Sequence, residues 1–213
     1  MSVKQFENNR WQREDQNIQF RHKTVLTMVD SGTVLDLGSG DGLLLSLLKD
    51  KGIKGKGLDL SEEGVAKANA KGLDTKVFDF GSNKLPFPDN SFDTVVMLDI
   101  LEHLYNPESV LKEAARVSKK DVIVSVPNIN SLPARLQVLF GSVPENNRPR
   151  KGHVYWFNYP VLAKLFSNAN LSPVRVESNT FFESVPVFSS VTKYLAKIMP
   201  NIFGLSFVIK VSK

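Results

Sequence analysis

Short runs of β-branched and apolar residues recur along this chain, each closed by glycine, proline or an acidic residue. Thr33 to Leu37, Lys56 to Leu60, Asp74 to Phe78, Asp93 to Leu98 and Asp121 to Val126 read as strands. The fourth is apolar along most of its length, as a central strand covered on both faces should be. Between them lie stretches with helical spacing. One opens at Leu43. Another follows Ser61, an N-cap with Glu62 and Glu63 in its first turn, and stops near Lys71-Gly72. A third starts at Asn106-Pro107-Glu108 and turns Val110, Leu111, Ala114, Ala115 and Val117 inward. This alternation predicts a parallel, doubly wound α/β sheet.

The two ends of the chain read differently. Residues 4–30 are expected to be helical, with Trp11, Ile18, Phe20, Val25, Leu26 and Val29 as an apolar face among Arg10, Arg13, Arg21 and Lys23. Such a helix would pack on the sheet and close over a ligand, with Trp11 as core or as a stacking lid. Past Pro127-Asn128 come a short amphipathic helix over 131–140, a polar loop over 141–152, and a helix capped by Asn158 with Pro160 in its first turn. A strand-like stretch over 172–182 and a closing strand over 205–211 follow, separated by an amphipathic helix over 185–199. That helix carries Phe188, Val191, Leu195 and Ile198 on one face, with Ser189, Lys193 and Lys197 opposite. Its apolar face is expected to pack on the sheet, with a membrane surface or a lid over the substrate pocket as the alternatives. The whole is one domain over 1–213: a helical cap (1–30), a cofactor-binding half (31–127) and a substrate-side half (128–213) with a helical insertion near 185–199.

Composition narrows the chemistry. There is no cysteine, which excludes disulfides, thiolate zinc sites, iron–sulfur clusters and a cysteine nucleophile, and no metal site is expected. The polar stretch Met1 to Gln19 does not read as a signal peptide, and a cytoplasmic location is expected. Charge is uneven. Residues 1–126 hold 17 Lys+Arg against 19 Asp+Glu, whereas 127–213 hold 10 against 3. A basic C-terminal part suits an acidic or phosphate-bearing substrate, a membrane surface, or no more than a solvated face.

The densest chemistry is in Asp36-Leu-Gly-Ser-Gly-Asp-Gly42, where a strand meets a helix across three glycines. A strand, glycine turn and helix bring backbone N–H groups close to a ligand. The dinucleotide fingerprint requires a glycine at position 43, which is Leu43. Asp36 would repel a pyrophosphate and suit an ammonium group. The loop thus favours a nucleoside-like cofactor with a cationic end over NAD. Asp59, at the end of the next strand, is placed to accept from two ribose hydroxyls. Asp79, just past the third strand, is placed for an adenine amine, with Phe78 and Phe80 packing nearby.

Together these residues resemble a class I S-adenosylmethionine-dependent methyltransferase. The resemblance rests on Val34-Leu-Asp-Leu-Gly-Ser-Gly-Asp-Gly42, Gly57-Leu-Asp-Leu-Ser61, Leu85-Pro-Phe-Pro-Asp-Asn-Ser-Phe-Asp93 and Met97-Leu-Asp-Ile-Leu-Glu-His-Leu104. Val126-Pro-Asn128, the run His153 to Phe157 and Leu136-Gln-Val-Leu-Phe-Gly141 are similar to the small-molecule, type 11 and MetW-like branch. It implies a Rossmann-like seven-stranded sheet of order 3-2-1-4-5-7-6 with strand 7 antiparallel. On the same terms S-adenosylmethionine is the cofactor and S-adenosylhomocysteine the product. Gly38 and Gly40 then pass under the cofactor and Asp36 lies near its ammonium group. Asp59 binds ribose, Asp79 the adenine edge, and Leu98 and Asp99 flank the ligand. Ser39, Leu60 and Phe80 complete the cofactor set.

Methyl transfer is an in-line displacement that needs alignment and dryness, and for an oxygen or nitrogen acceptor a base. His103 and His153 are the expected bases, each with a structural role as the alternative. Tyr105, Arg148 and Tyr155 are expected on the acceptor. The motif of amino-methylating nucleic-acid enzymes is replaced here by Asp99-Ile-Leu-Glu102, so no nucleic-acid partner is expected. A small acceptor, anionic or linked to a lipid or glycan, is expected. The other reading is a MetW-like accessory protein that binds the cofactor and transfers no methyl group itself. Peripheral membrane contact is a further expectation.

Overall fold

A computed structural model of the chain describes residues 4, 5, 8, 11, 17–181 and 186–213. The expected helix over 4–30 falls partly outside them, Arg10 and Arg13 included. Within them it is not continuous, because residues 17–19 are not helical and helix α1 spans Phe20–Leu26. Gln19 breaks it by capping: its backbone N–H donates to His22 Nδ1 at 3.0 Å.

Strands β1 (Thr33–Leu37), β2 (Lys54–Asp59), β3 (Asp74–Val77), β4 (Phe92–Leu98), β5 (Ser118–Pro127), β6 (Ser172–Asn179) and β7 (Ser206–Ser212) form one sheet of order 3-2-1-4-5-7-6. Strands β1 to β5 pair in parallel, and β7 runs antiparallel to both neighbours. Helices α2 (Leu43–Asp50), α3 (Glu62–Ala70), α4 (Pro107–Val117), α5 (Leu132–Leu139), α6 (Tyr159–Asn168), α7 (Pro186–Ile198) and α8 (Pro200–Phe203) complete it. The caps are as read: Ser61, Asn106 and Asn158 each accept a backbone N–H of the first turn through the side chain.

Alternate strand residues feed two cores. Leu35, Leu37, Val95, Met97, Val122 and Val124 pack with Val110, Leu111, Leu162 and Phe166 of α4 and α6. Val34, Val96, Ile123 and Val208 pack with Val25, Leu44 and Leu48 of α1 and α2 on the other face. That two-sided cover is what apolar parallel strands require. Arg116, from α4, donates to Phe87 O at 2.9 Å and to Leu85 O at 3.2 Å, and it pairs with Asp89 and Glu113. One guanidinium thereby holds the proline-rich loop, which has no ladder of its own.

Strand β6 is parallel to β5, because both oppose β7. Its last residue, Asn179, shares a register with Ser206 and Pro127. The connection carrying α7 and α8 therefore leaves and re-enters the sheet at the carboxyl edge of the parallel strands. Asn128 fixes its far end, donating to Asn201 O at 3.1 Å and Gly204 O at 2.8 Å. In α7 the buried residues are Ser189, Thr192 and Ala196, while Val191 and Ile198 are exposed. Of the face expected to pack inward, Val191 and Ile198 are turned out and Leu195 is half-buried, while the Phe188 side chain lies outside the described residues.

Candidate active site

The glycine loop starts where β1 ends. Gly38 N–H and Ser39 N–H both donate to Leu58 O, at 2.7 and 3.2 Å, which bends the chain across the end of β2. Gly40 has φ +49, and a Cβ there would stand 2.1 Å from the Trp11 ring. At Gly38, with φ +83, a Cβ would stand 2.1 Å from Ile100. Only glycine fits such approaches. Asp59 fastens the loop: one carboxylate oxygen accepts from Gly40 N at 2.7 Å and the other from Ser61 N at 2.8 Å.

Asp36 and Asp59 are both buried beneath this turn. Burial, reinforced by the Asp59 charge, raises the Asp36 carboxyl to about 8. The Ser39 hydroxyl is buried and has no hydrogen-bond partner among the described residues. A buried orphan donor beside a buried acid is what a polar ligand would complete.

Two cavities meet at Gly38, Asp59, Asp99 and Ile100. The smaller, about 50 Å³, reaches Trp11, Arg21, His22, Asp36 and Ser39. The larger, about 270 Å³, reaches Leu60, Phe78, Asp79, Phe80, His103 and Tyr105. Asp99 sits between them with φ +52, a left-handed conformation costly for a residue with a side chain. Its N–H donates to Ser125 O at 3.0 Å, its Oδ1 accepts from Ser125 Oγ at 2.5 Å, and its Oδ2 pairs with Arg21 at 3.0 Å. Asp79 Oδ1 accepts from Gly81 N and Ser82 N at 3.1 and 3.2 Å, shaping the far rim.

His103 lies on a single 3-10 turn, Leu101–His103, after β4. Its Nδ1 is 3.2 Å from Gly152 O, and a carbonyl only accepts. Nδ1 is therefore the donor of this pair, which orients the ring. The His153 ring stands edge-on to it, centroids 4.8 Å apart, and His153 Nε2 is 3.9 Å from Oε1 of the buried Glu102 side chain. Glu102, His103 and His153 bring ligand atoms within 4.8 Å of one another, a donor set able to hold a divalent ion as well as to pass a proton. Glu102 O accepts from Val154 N and Tyr155 N, so the 152–157 segment is stitched to this turn.

All ten residues expected around the cofactor gather here, and nine of them line one or both cavities; Gly40 is the exception, lying against Trp11 with its N–H on Asp59. Tyr105 lines the larger one. His153 and Tyr155 instead line a third, small cavity with Glu102 and Phe157, and Arg148 lines none of the three, its guanidinium pairing with Glu145 at 2.9 Å. Sequence reasoning missed Arg21 and His22. A base in the segment expected to close over the ligand was the available signal. His22 is held down to about 4, chiefly by burial and then by Arg21, and is neutral at pH 7.

Sheet order and glycine cradle are those of the class I S-adenosylmethionine-dependent methyltransferase fold, and the buried acids and the Ser39 hydroxyl fit that cofactor. The chain matches the family described as methionine biosynthesis protein MetW over residues 19–209 and belongs to it. It is 30% identical to a ubiquinone biosynthesis O-methyltransferase of Azoarcus sp. (strain BH72) over 166 residues, 73% of this chain and 71% of that one. It is 36% identical to a phosphatidylethanolamine N-methyltransferase of Cereibacter sphaeroides over 103 residues, 46% of this chain. The chain spans about half the length of that relative. Its fold is similar to a SAM-dependent methyltransferase from Archaeoglobus fulgidus (TM-score 0.69, 20% identity, 91% of each chain covered). It is also similar to magnesium protoporphyrin IX methyltransferase from Synechocystis PCC 6803 with bound SAH (TM-score 0.68, 18% identity, 99% and 98% covered).

Proposed function

We propose that this protein transfers a methyl group from S-adenosylmethionine to an oxygen or nitrogen of a small acceptor, anionic or lipid- or glycan-linked, with His103 as the base. The observation that carries this reading is the placement of His103: its ring lines the larger cavity beside Asp99, with Nδ1 held 3.2 Å from Gly152 O. S-adenosylmethionine supplies a sulfonium-bound, electrophilic methyl group. The chain does the rest. Asp36 balances the ammonium group, Asp59 receives the ribose hydroxyls, and Asp79 and Phe80 hold the adenine side. Arg21, already at the smaller cavity, offers a guanidinium to the methionine carboxylate in exchange for Asp99. His103 Nε2 takes the acceptor proton as the nucleophile forms its bond, and His153 with Glu102 steadies the charge left on the ring. Tyr105 borders the acceptor. Arg148 and Tyr155 fit a second contact with an anionic part of the acceptor.

The names of the relatives, one a phosphatidylethanolamine and another a ubiquinone biosynthesis enzyme, support a lipid-linked acceptor. Membership of the MetW family keeps the accessory reading in play. Labelled S-adenosylmethionine incubated with fractionated extract separates the two. A labelled product is expected, with its rate lowered about 10²- to 10⁴-fold by His103→Gln and S-adenosylhomocysteine affinity kept. Tight cofactor binding with no labelled product in any fraction would favour the accessory role. Chelation is expected to leave the rate unchanged, and metal-dependent activity would transfer His103 from proton transfer to ion binding.

A further inference from the structure

Helix α7 is built the wrong way round for a helix whose work is to pack on a sheet. Among its described side chains, those of residues 189–198, the buried ones are Ser189, Thr192 and Ala196, at 8%, 5% and 5% exposure. Val191, Tyr194 and Ile198 are 52%, 64% and 58% exposed, and their spacing sets them in one stripe along the opposite side. The anchor is polar: Thr192 Oγ1 reaches Phe181 O, Ser189 O and Thr180 Oγ1, each at 3.2 Å. From Ser189 onward the fold thus holds this helix by its small residues and leaves Val191, Tyr194 and Ile198 outside, with Leu195 half-buried.

Two observations say what covers the stripe. Lys193 and Lys197 are exposed and one turn apart, flanking the stripe along one side. They belong to the stretch 127–213, with its 10 Lys+Arg against 3 Asp+Glu. Position is the second. The β6–β7 connection begins and ends at the carboxyl edge, where the cavities of Asp59, Asp99 and His103 also lie. An apolar stripe with an aromatic hydroxyl and flanking cations is the pattern of a helix lying in a lipid interface. No helix among the described residues is long and apolar enough to cross a membrane.

We infer that α7 is an interfacial helix that docks this edge of the molecule on an anionic phospholipid surface, with Val191, Tyr194 and Ile198 entering the headgroup boundary and Lys193 and Lys197 on the phosphates. Docking so would hold the edge that carries the site close to the bilayer, which suits an amphiphilic acceptor. The inference stands whether or not the protein transfers a methyl group, since lipid binding and cofactor binding are read separately.

Flotation of the full chain with phosphatidylcholine vesicles, with and without an equal share of phosphatidylglycerol, tests it. The wild type is expected to float with the anionic vesicles and far less with the neutral ones. Lys193→Gln with Lys197→Gln should weaken partitioning about thirtyfold, the effect of removing two cations at an anionic surface. Tyr194→Ser with Ile198→Ser should abolish it on both vesicles. Calorimetry with S-adenosylhomocysteine on each variant shows that the fold is intact. Equal flotation of wild type and the lysine variant, or no flotation of a wild type that binds S-adenosylhomocysteine, would overturn the inference. So would a stable dimer that the Tyr194→Ser, Ile198→Ser variant dissolves, which would assign the stripe to a second copy of the chain.

Discussion

A carboxyl group held at about 8 beside a second acid acts in opposite directions on the free protein and on its complex. In the free protein the folded value lies above the unfolded 3.8, so the contribution of Asp36 to stability is intact below 3.8 and is lost as the pH climbs to about 8. His22 works the other way lower down, where its charging below 6.5 is resisted by a fold that holds it at about 4. Above pH 6.5 the Asp36 effect is therefore exposed. Melting temperature is expected to fall between pH 6.5 and 8, and Asp36→Asn should flatten that slope. For the complex, an ammonium group beside Asp36 favours the carboxylate, so binding releases a proton. S-adenosylhomocysteine affinity should rise toward pH 8, by at most about tenfold per pH unit. Calorimetry in buffers of different ionisation enthalpy reads the proton directly, and proton uptake would remove the ammonium group from Asp36. Asp59 makes a plainer case. Asp59→Ala strands the buried Gly40 and Ser61 N–H groups, at about 1–3 kcal/mol each, and should weaken S-adenosylhomocysteine binding alongside.

At the scale of elements, the parts that local pattern specifies were legible in the sequence. The strand–glycine–helix unit at 33–50, the Ser61, Asn106 and Asn158 caps and the acids at the ends of β1 and β2 each depend on neighbours a few residues away. The sheet order came with the resemblance, since period and spacing do not say which strand lies beside which. Pairs made across the chain stayed hidden. Arg21 meets Asp99, and His103 meets Gly152 and His153, only because the fold closes. In α7 the sequence says which side chains share a stripe and not which way the stripe turns, and Val191 and Ile198 face outward where packing on the sheet was expected. Arg116 belongs to the same class of hidden pairing. Its side chain is largely buried and bonds two carbonyls of the 85–92 loop besides Asp89 and Glu113. Arg116→Ala should cost about 2–3 kcal/mol in urea denaturation, the usual loss for hydrogen bonds to a charged group. S-adenosylhomocysteine affinity should hold, because the loop braces the sheet from outside the cavities.

The molecule as a whole places its chemistry at one edge. Four parallel strands, β1, β2, β4 and β5, end there in Leu37, Asp59, Leu98 and Pro127, and the glycine loop, the Asp99 turn and the α7–α8 connection all leave from it. Glycines and buried acids at that edge are poor stabilisers: Asp36 is strained electrostatically, Asp99 conformationally, and Ser39 lacks a partner among the described residues. A ligand that supplies an ammonium group, a carboxylate and ribose hydroxyls relieves those defects together, so it should stabilise the entire domain and not the loop alone. S-adenosylhomocysteine at a hundredfold excess over its dissociation constant adds about 2.7 kcal/mol. For a chain of this length that amounts to a rise in melting temperature of about 5–10 °C. NAD, whose pyrophosphate would meet Asp36, should leave the melting temperature where it was. Scanning calorimetry with each ligand decides between them. A matching shift with NAD would break the link between the buried acids and a cationic cofactor. Absence of a shift with S-adenosylhomocysteine would break the link between this edge and the methyl donor.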